Sequence, residues 1–175
     1  VNPRARWSNG LTANTAIGQG DVLASPLQMA VVAAAVANGG TVYYPRLIDR
    51  VVSQDGKVIQ QDPPRVRANL LTDAGLTADQ INHVRQGMWK VVNDDGGTAS
   101  RARNSNFVTA GKTGTAQFWR SGIKDNHTWF ISFAPFENPE YVVVVFVQGA
   151  KSGGGVSAPI AAKILDGIQK YKSGK

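Results

Sequence analysis

An α+β domain, with helices packed on an antiparallel sheet, is the fold class that this 175-residue sequence predicts. Three stretches carry the expectation. The first is "SPLQMAVVAAAVANGG", apolar almost all round and bounded by a cap at each end. The second is a succession of three strand-like runs that ends in "YVVVVFVQ". The third is an amphipathic helix after "KSGGG", so that helices come first, a meander of strands follows, and a helix closes the chain.

Each element has its own local reason. Ser25 serves as an N-cap, Pro26 takes the first helical position, Gln28 completes a capping box, and Asn38-Gly39-Gly40 stops the helix. With so little polar surface, this helix is expected to be buried. "TVYYPRLIDRVVSQDGKVIQQ" reads as a strand pair or irregular stretch that turns at Asp55-Gly56, and "QQDPPRVR" as a surface connection. Thr77 and Gln80 form a second capping box; Ile81, Val84, Met88 and Val91 mark one face of a helix ending near Asn93, which leaves His83 on the solvent side. "NDDGGTASRARNSN" is a polar loop.

The strand runs are placed at about Phe107 to Trp119, Trp129 to Ala134 and Tyr141 to Gln148, the last two joined by "PFENPE" as antiparallel neighbours. "YVVVVFVQ" is apolar on both alternations, the pattern of a strand covered on both faces, and is expected inside a sheet. "KSGGGVS" reads as a flexible entry to a last helix from about Ser157, with Ile160, Ile164, Leu165 and Ile168 facing inward. No repeat or low-complexity tract divides residues 1–175, which are expected to be part of a single domain.

Composition narrows the function classes. At 42% hydrophobic residues the chain has material for a core. It contains no run of about 18 uninterrupted apolar residues, and "VNPRARWSNG" lacks the apolar middle of a secretory signal. The lack of cysteine excludes disulfides and thiolate metal sites, and His83 and His127 are isolated, so neither a metal nor another cofactor is expected. The net charge of +7 favours an anionic partner, and a basic domain gripping an anionic polymer is one reading. Arg and Lys are nevertheless scattered, and no recognition helix or interleaved stacking aromatics appear, so nucleic acid is not an expected partner.

The chemistry concentrates in "AGKTGTAQ". A phosphate-binding loop would need glycine five residues before Gly111, where Asn106 stands, and a helix afterwards, where the sequence continues as strand. On an extended segment the side chains of Thr113 and Thr115 share a face about 7 Å apart. Lys112 lies beside them, and Gly114 lets a ligand backbone come close. Such a group makes a carboxylate cradle. An edge strand defended by lysine, with threonines chosen for β propensity, accounts for the same residues equally well.

"AGKTGTAQ", taken together with "IGQGDVLASPLQMAVVAAAVANGG", "DNHTWFISFAPFENPE" and "GGGVSAPIA", resembles the C-terminal half of the transpeptidase domain of class B penicillin-binding proteins. "IGQG" before "SPLQMA", and Asp125-x-His127 before "WFISFAP", resemble the elongation-type, penicillin-binding protein 2-like members in particular. The resemblance runs from about Thr15 to Lys170. It implies a partial β-lactamase/transpeptidase-like fold that lacks the N-terminal strands and the nucleophile helix, and it implies a peptidoglycan D,D-transpeptidase. In that family Lys112, Thr113 and Gly114 form the Lys-Thr-Gly element of the edge strand. The hydroxyls of Thr113 and Thr115 hold the carboxylate of a D-Ala-D-Ala stem peptide or of a β-lactam. The Thr115 N–H is an oxyanion-hole donor, and Lys112 and Thr115 join the catalytic machinery. The implied partners are the missing N-terminal half of the domain and a glycan-polymerising elongation machinery. The implied location is the extracytoplasmic face of a bacterial inner membrane, anchored by a segment outside this chain. A non-catalytic module that binds peptidoglycan termini is the alternative.

Such enzymes require a Ser-x-x-Lys nucleophile and a Ser-x-Asn. Only Ser121, in Ser121-Gly122-Ile123-Lys124, has lysine three residues on, and no serine has asparagine two residues on. Gly122 and Asp125-Asn126 are turn formers, so Ser121 is expected in a loop, without the helical turn that brings lysine onto a serine oxygen. The match is read as coincidence, with the nucleophile expected upstream of Val1. Ile17-Gly18-Gln19-Gly20 is read as a turn beneath the site. Asp125, His127 and Trp129 are read at the mouth of the strand pair, with His127 either making a structural hydrogen bond or positioning substrate.

Overall fold

The computed structural model describes residues 6–20, 22–120 and 122–174. In chain order the elements are α1 (Asn9–Ala16), α2 (Pro26–Ala37), four short strands β1 (Thr41–Tyr43), β2 (Arg50–Val52), β3 (Val58–Gln61) and β4 (Val66–Asn69), then α3 (Ala78–Asn93). The sheet strands β5 (Ala110–Arg120), β6 (Ile123–Ala134) and β7 (Tyr141–Gln148) follow, and α4 (Ala158–Lys172) closes the chain. β1 pairs with β4 and β2 with β3, the latter turning at Gly56 with φ of 83°. The main sheet is antiparallel in the order β5-β6-β7.

Both capping boxes form: Ser25 Oγ accepts the Gln28 N–H at 3.2 Å while Gln28 Oε1 accepts the Ser25 N–H at 2.7 Å, and Thr77 and Gln80 do the same at 3.2 and 2.9 Å. α2 is buried only over its last turns, through Ala33, Ala35 and Ala37, while Leu27 and Val32 before them are half or more exposed. These alanines lie on opposite sides of the helix, so its end is covered all round while its start stands free. α3 buries Ile81, Met88 and Val92, whereas Val84 of the expected stripe is exposed. His83 is exposed, as its place off the stripe suggested. α1 was not foreseen: "NGLTANTA" has no apolar stripe, none of its residues is buried, and it starts on Ser8, whose Oγ accepts the Leu11 N–H at 3.3 Å.

The sheet carries a core on each face. On one side Ala110 and Phe133 pack with Ala37 of α2, Met88 of α3 and Phe136. On the other, Phe130, Val143 and Val145 pack against Ala158, Ala161 and Leu165 of α4. Phe130 and Phe133 are almost wholly buried, each contributing about 1.5–3 kcal/mol by transfer from water. α4 therefore turns its alanines inward, and Ile160 and Ile164, expected to face in, are about 40% exposed. Small residues bring the helix close to the sheet and leave no room for the isoleucines between.

Two boundaries differ from expectation, and so does the place of one strand. β5 starts at Ala110, because Phe107 is held by the Asn104 side chain, whose Oδ1 accepts its N–H at 3.1 Å. β6 starts at Ile123, so Asp125 and Asn126 are strand residues: the ladder to β5 carries them past their turn propensity. β7 is covered on both faces as read, by α4 and by the cluster that holds Val142, but among the described residues its outer edge pairs with nothing. It borders the sheet here instead of lying within it.

"KSGGGVS" is a packed turn and not a flexible entry. Residues Gly153–Ser157 form one turn of π-helix with Gly153 and Ser157 buried, and the Ser157 hydroxyl meets the Thr128 hydroxyl at 2.9 Å. A Cβ on Gly153 would stand 2.4 Å from the Trp129 carbonyl oxygen, and one on Gly154 2.0 Å from that of Thr98. Backbone meets backbone at both points, which only glycine permits.

Gly111 is held in the same way from within the sheet: a Cβ there would lie 2.4 Å from the Phe130 ring and 2.9 Å from the Ile131 carbonyl oxygen. Gly111→Ala is accordingly expected to destabilise the domain by about 1–3 kcal/mol through overpacking. Urea unfolding of the protein that carries this chain measures it, and an unshifted midpoint would contradict the close approach.

Candidate active site

The direction of the main-chain groups of β6 decides what β5 can offer. Beyond the ends of the β6–β7 ladder, the Asn126 carbonyl accepts the Gly149 N–H at 2.8 Å and the Ala134 carbonyl accepts the Glu140 N–H at 3.1 Å. The even-numbered residues of β6 thus turn their N–H and C=O groups toward β7, and the odd-numbered ones toward β5. In the β5–β6 register Gly114 opposes Trp129 and Thr115 opposes Thr128. Gly114 and Ala116 therefore bond to β6, and the N–H and C=O groups of Thr113, Thr115 and Gln117 point away from the sheet. β5 is thus an open edge among the described residues, as β7 is on the opposite side of the sheet.

Side chains then populate that edge. The Lys112 Nζ donates to the outward Thr113 carbonyl at 2.7 Å, so its ammonium curls from the sheet face onto the edge. The Thr113 and Thr98 hydroxyls lie 3.1 Å apart, and the Thr115 side chain is exposed. Two residues along, the Gln19 carboxamide donates from Nε2 to the Thr115 carbonyl at 3.1 Å and accepts the Gln117 N–H on Oε1 at 3.4 Å. Between these two arrangements stands the Thr115 N–H, aimed outward and bonded to no acceptor among the described residues.

A groove of about 580 Å³ runs beside the edge, lined by Ile17, Val22 and Met29 and by Lys112, Gly114, Trp129 and Ile131 of the sheet. Gly114 forms its floor on the face where a side chain would otherwise stand; a Cβ there would sit 3.3 Å from Trp129 Cβ, which is tight but not a backbone clash. Among the described residues no three His, Cys, Asp or Glu side chains converge as a metal site.

The residues read from the sequence thus separate. Lys112, Thr113, Gly114 and Thr115 come together on the open edge, and Trp129 lines the groove. The structural hydrogen bond expected of His127 is not made among the described residues: its ring stacks on Phe118 at 3.7 Å with an 8° tilt and lies 5.0 Å from Phe146, while its buried Nδ1 has no partner. It belongs to an aromatic cluster that spans β5, β6 and β7. Asp125 opposes Phe118 further along and accepts the Asn126 N–H at 2.7 Å.

Ser121 lies outside the described residues, but on its flanks β5 ends at Arg120, Gly122 turns with φ of 78°, and Ile123 opens β6. Two contributors were not legible as site residues: Thr98, hidden in a polar loop, and Gln19, read only as part of a turn. Their sole signal in the sequence is glycine beside them, Gly96-Gly97 before Thr98 and Gly18 and Gly20 around Gln19.

A Lys-Thr-Gly strand presented on an open sheet edge, with helices on both faces of an antiparallel sheet, is the arrangement of the serine acyl-transfer domains of the β-lactamase/transpeptidase fold. The chain belongs to the penicillin binding protein transpeptidase domain family, whose profile matches residues 1–166. Peptidoglycan D,D-transpeptidase MrdA of Haemophilus influenzae is 32% identical over 174 residues, covering 91% of this chain and 26% of that protein. Pseudomonas aeruginosa PBP2, solved in complex with WCK 5153, is 31% identical with a TM-score of 0.73 over 94% of this chain and 34% of its own. Penicillin-binding protein A of Mycobacterium tuberculosis, solved as an imipenem acyl-enzyme complex, is 26% identical with a TM-score of 0.70 over 89% of this chain and 33% of its own. The chain spans about a quarter of the length of the MrdA relative. Among the described residues no helix is long and apolar enough to cross a membrane.

Gly114 and Gly111 answer to different constraints, and substitution separates them. Gly114→Ala is expected to leave the unfolding free energy within about 1 kcal/mol, since the methyl meets a side chain and not backbone. The same methyl narrows the groove and is expected to reduce labelling by a fluorescent penicillin when this chain is tested within a protein that also carries the nucleophile. Unchanged labelling, or a loss of folding, would contradict this assignment.

Proposed function

We propose that this chain supplies the substrate-gripping part of a peptidoglycan D,D-transpeptidase, with the nucleophilic serine contributed by a segment outside these 175 residues. The observation that carries the reading is the edge of β5, where the outward Thr115 N–H stands between the Lys112 ammonium and the Gln19 carboxamide, next to the hydroxyls of Thr113 and Thr115. The similarity to MrdA and to a penicillin-binding protein that forms an imipenem acyl-enzyme supports it.

The chemistry divides as follows. The stem peptide lies along β5 with its terminal carboxylate on the hydroxyls of Thr113 and Thr115, assisted by the positive charge of Lys112. That placement brings the carbonyl of the D-Ala–D-Ala bond to the outward Thr115 N–H. Serine attack turns the carbonyl oxygen into an oxyanion, which the Thr115 N–H and the serine's own N–H hold; loss of one such donor typically slows reaction about 10²–10³-fold. The terminal D-Ala leaves with a proton, the acyl group stays on serine, and the amine of a second stem peptide takes it to complete the cross-link. A β-lactam enters through the same contacts, and its amide opens to an acyl-serine that has no departing fragment. The site works on peptidoglycan at the extracytoplasmic face of a bacterial inner membrane, in concert with a glycan-polymerising machinery. It uses no cofactor.

Two measurements test this. The purified 175-residue chain is expected to retain no fluorescent penicillin covalently. A stoichiometric adduct that Ser121→Ala abolishes would overturn the reading. In the protein that carries this chain with its nucleophile, Thr113→Val should keep the fold, since a strand accepts valine. It should also lower acylation about tenfold or more, the effect of losing a hydrogen bond to a charged group. Unaltered acylation would remove the carboxylate role of Thr113.

A further inference from the structure

α1 and the turn behind it contribute nothing to either core: α1 buries none of its residues, and its own bonds are local, such as the Trp7 indole N–H donating to the Thr12 hydroxyl at 2.8 Å. Among the described residues, the side-chain hydrogen bonds from residues 6–20 to the sheet are the two made by Gln19. The backbone of the turn is organised to present that side chain. The Gln19 N–H and the Ile17 N–H both donate to the Asn14 carbonyl, at 2.9 and 3.2 Å, and the Gly18 N–H donates to that of Thr15 at 2.9 Å. Gly18 and Gly20 flank Gln19 with φ of 75° and 90°, a conformation that favours glycine.

At the strand, one carboxamide bonds the C=O of one outward residue and the N–H of the next outward residue, as a neighbouring strand would. It fixes the peptide planes on the carbonyl side of Thr115 and occupies the edge from there to Gln117. The Thr115 N–H, on the other side of the same residue, is left open. A carbonyl oxygen has two lone pairs, so Gln19 on the Gln117 side leaves the other one for an arriving chain.

We infer that Gln19 is a positioning residue, which fixes the two peptide planes on the carbonyl side of Thr115 and so, through the Thr115 Cα, the direction in which the Thr115 N–H is aimed for oxyanion stabilisation, and which ends the edge available to substrate at Thr115. The inference rests on the acyl-transfer reading and adds to it a residue 96 positions upstream of the threonine it bonds. Because the bonded groups are main chain, the side chain of Ala116 or Gln117 cannot replace the clamp. Because Gln19 is half-buried and contributes to no core cluster, removing it leaves the fold in place.

The consequence is a specific kinetic signature. A misaligned oxyanion donor weakens the transition state and not the initial complex, so acylation slows while the non-covalent affinity holds. In the protein that carries this chain with its nucleophile, acylation by a chromogenic cephalosporin is followed by stopped flow for wild type, Gln19→Ala and Gln19→Glu. Gln19→Glu keeps the size and the acceptor for the Gln117 N–H but sets a carboxylate oxygen against the Thr115 carbonyl. Both variants are expected to lower the first-order acylation constant on the order of tenfold, less than the loss of a donor outright. The dissociation constant of the initial complex and the thermal unfolding midpoint should stay at wild-type values. Acylation constants equal to wild type in either variant, or a loss that falls on the dissociation constant alone, would overturn the inference while leaving the acyl-transfer reading intact. A wild-type protein that is not acylated at all overturns that reading, and this inference with it.

Discussion

In an antiparallel sheet each residue spends both of its main-chain polar groups on one side, and that alternation governs this site. Because the even-numbered residues of β6 bond toward β7, Thr113, Thr115 and Gln117 must turn theirs outward, onto an edge that no strand among the described residues covers. An outward N–H at Thr115 is therefore not an accident of one side chain's rotamer. Shifting the β5–β6 register by one residue would bury it in the ladder and bring Lys112 and Gly114 to the edge instead. The register is in turn held by what each face must bury: Phe133 between α2 and α3, Phe130 against α4.

An open edge is useful to chemistry only if the strand behind it is rigid, and the rigidity comes from close backbone packing. Gly111 lies against the Phe130 ring, while Gly153 and Gly154 press the π-turn onto the carbonyls of Trp129 and Thr98. These contacts hold the Thr98 hydroxyl at the Thr113 hydroxyl and fix the strand from the α4 side. Gln19 does the corresponding work along the edge itself. Glycines thus play two roles in the chain: at Gly114 absence of a side chain opens space for a ligand, and at the other three it admits another part of the protein.

The sequence revealed what depends on short-range chemistry. Both capping boxes and the Asp55-Gly56 turn were legible because each is a local pattern with a single physical meaning, whereas the Lys-Thr-Gly strand, with two meanings of its own, was legible through the other motifs that stand in register with it. The α+β class followed from element order. What escaped was whatever depends on partners distant in the chain. Asp125 and Asn126 prefer turns, yet lie in β6 because an eleven-residue strand waits opposite. The three glycines of "KSGGG" signal flexibility until the Thr98 carbonyl is known to stand against them. His127 next to Asp125 suggested polar chemistry, but its ring went to Phe118 and Phe146, which pair with it only across strands. Gln19 had no signal of its own, since a carboxamide between glycines is equally a surface turn.

The chemistry of this site depends on the Thr115 N–H meeting the reacting oxygen. A crystal structure of the β-lactam-acylated protein that carries this chain measures it directly. The acyl oxygen is expected at about 2.7–3.1 Å from the Thr115 nitrogen, with the ligand carboxylate on the Thr113 and Thr115 hydroxyls. An acyl oxygen bound by other donors, with the carboxylate away from β5, would contradict it.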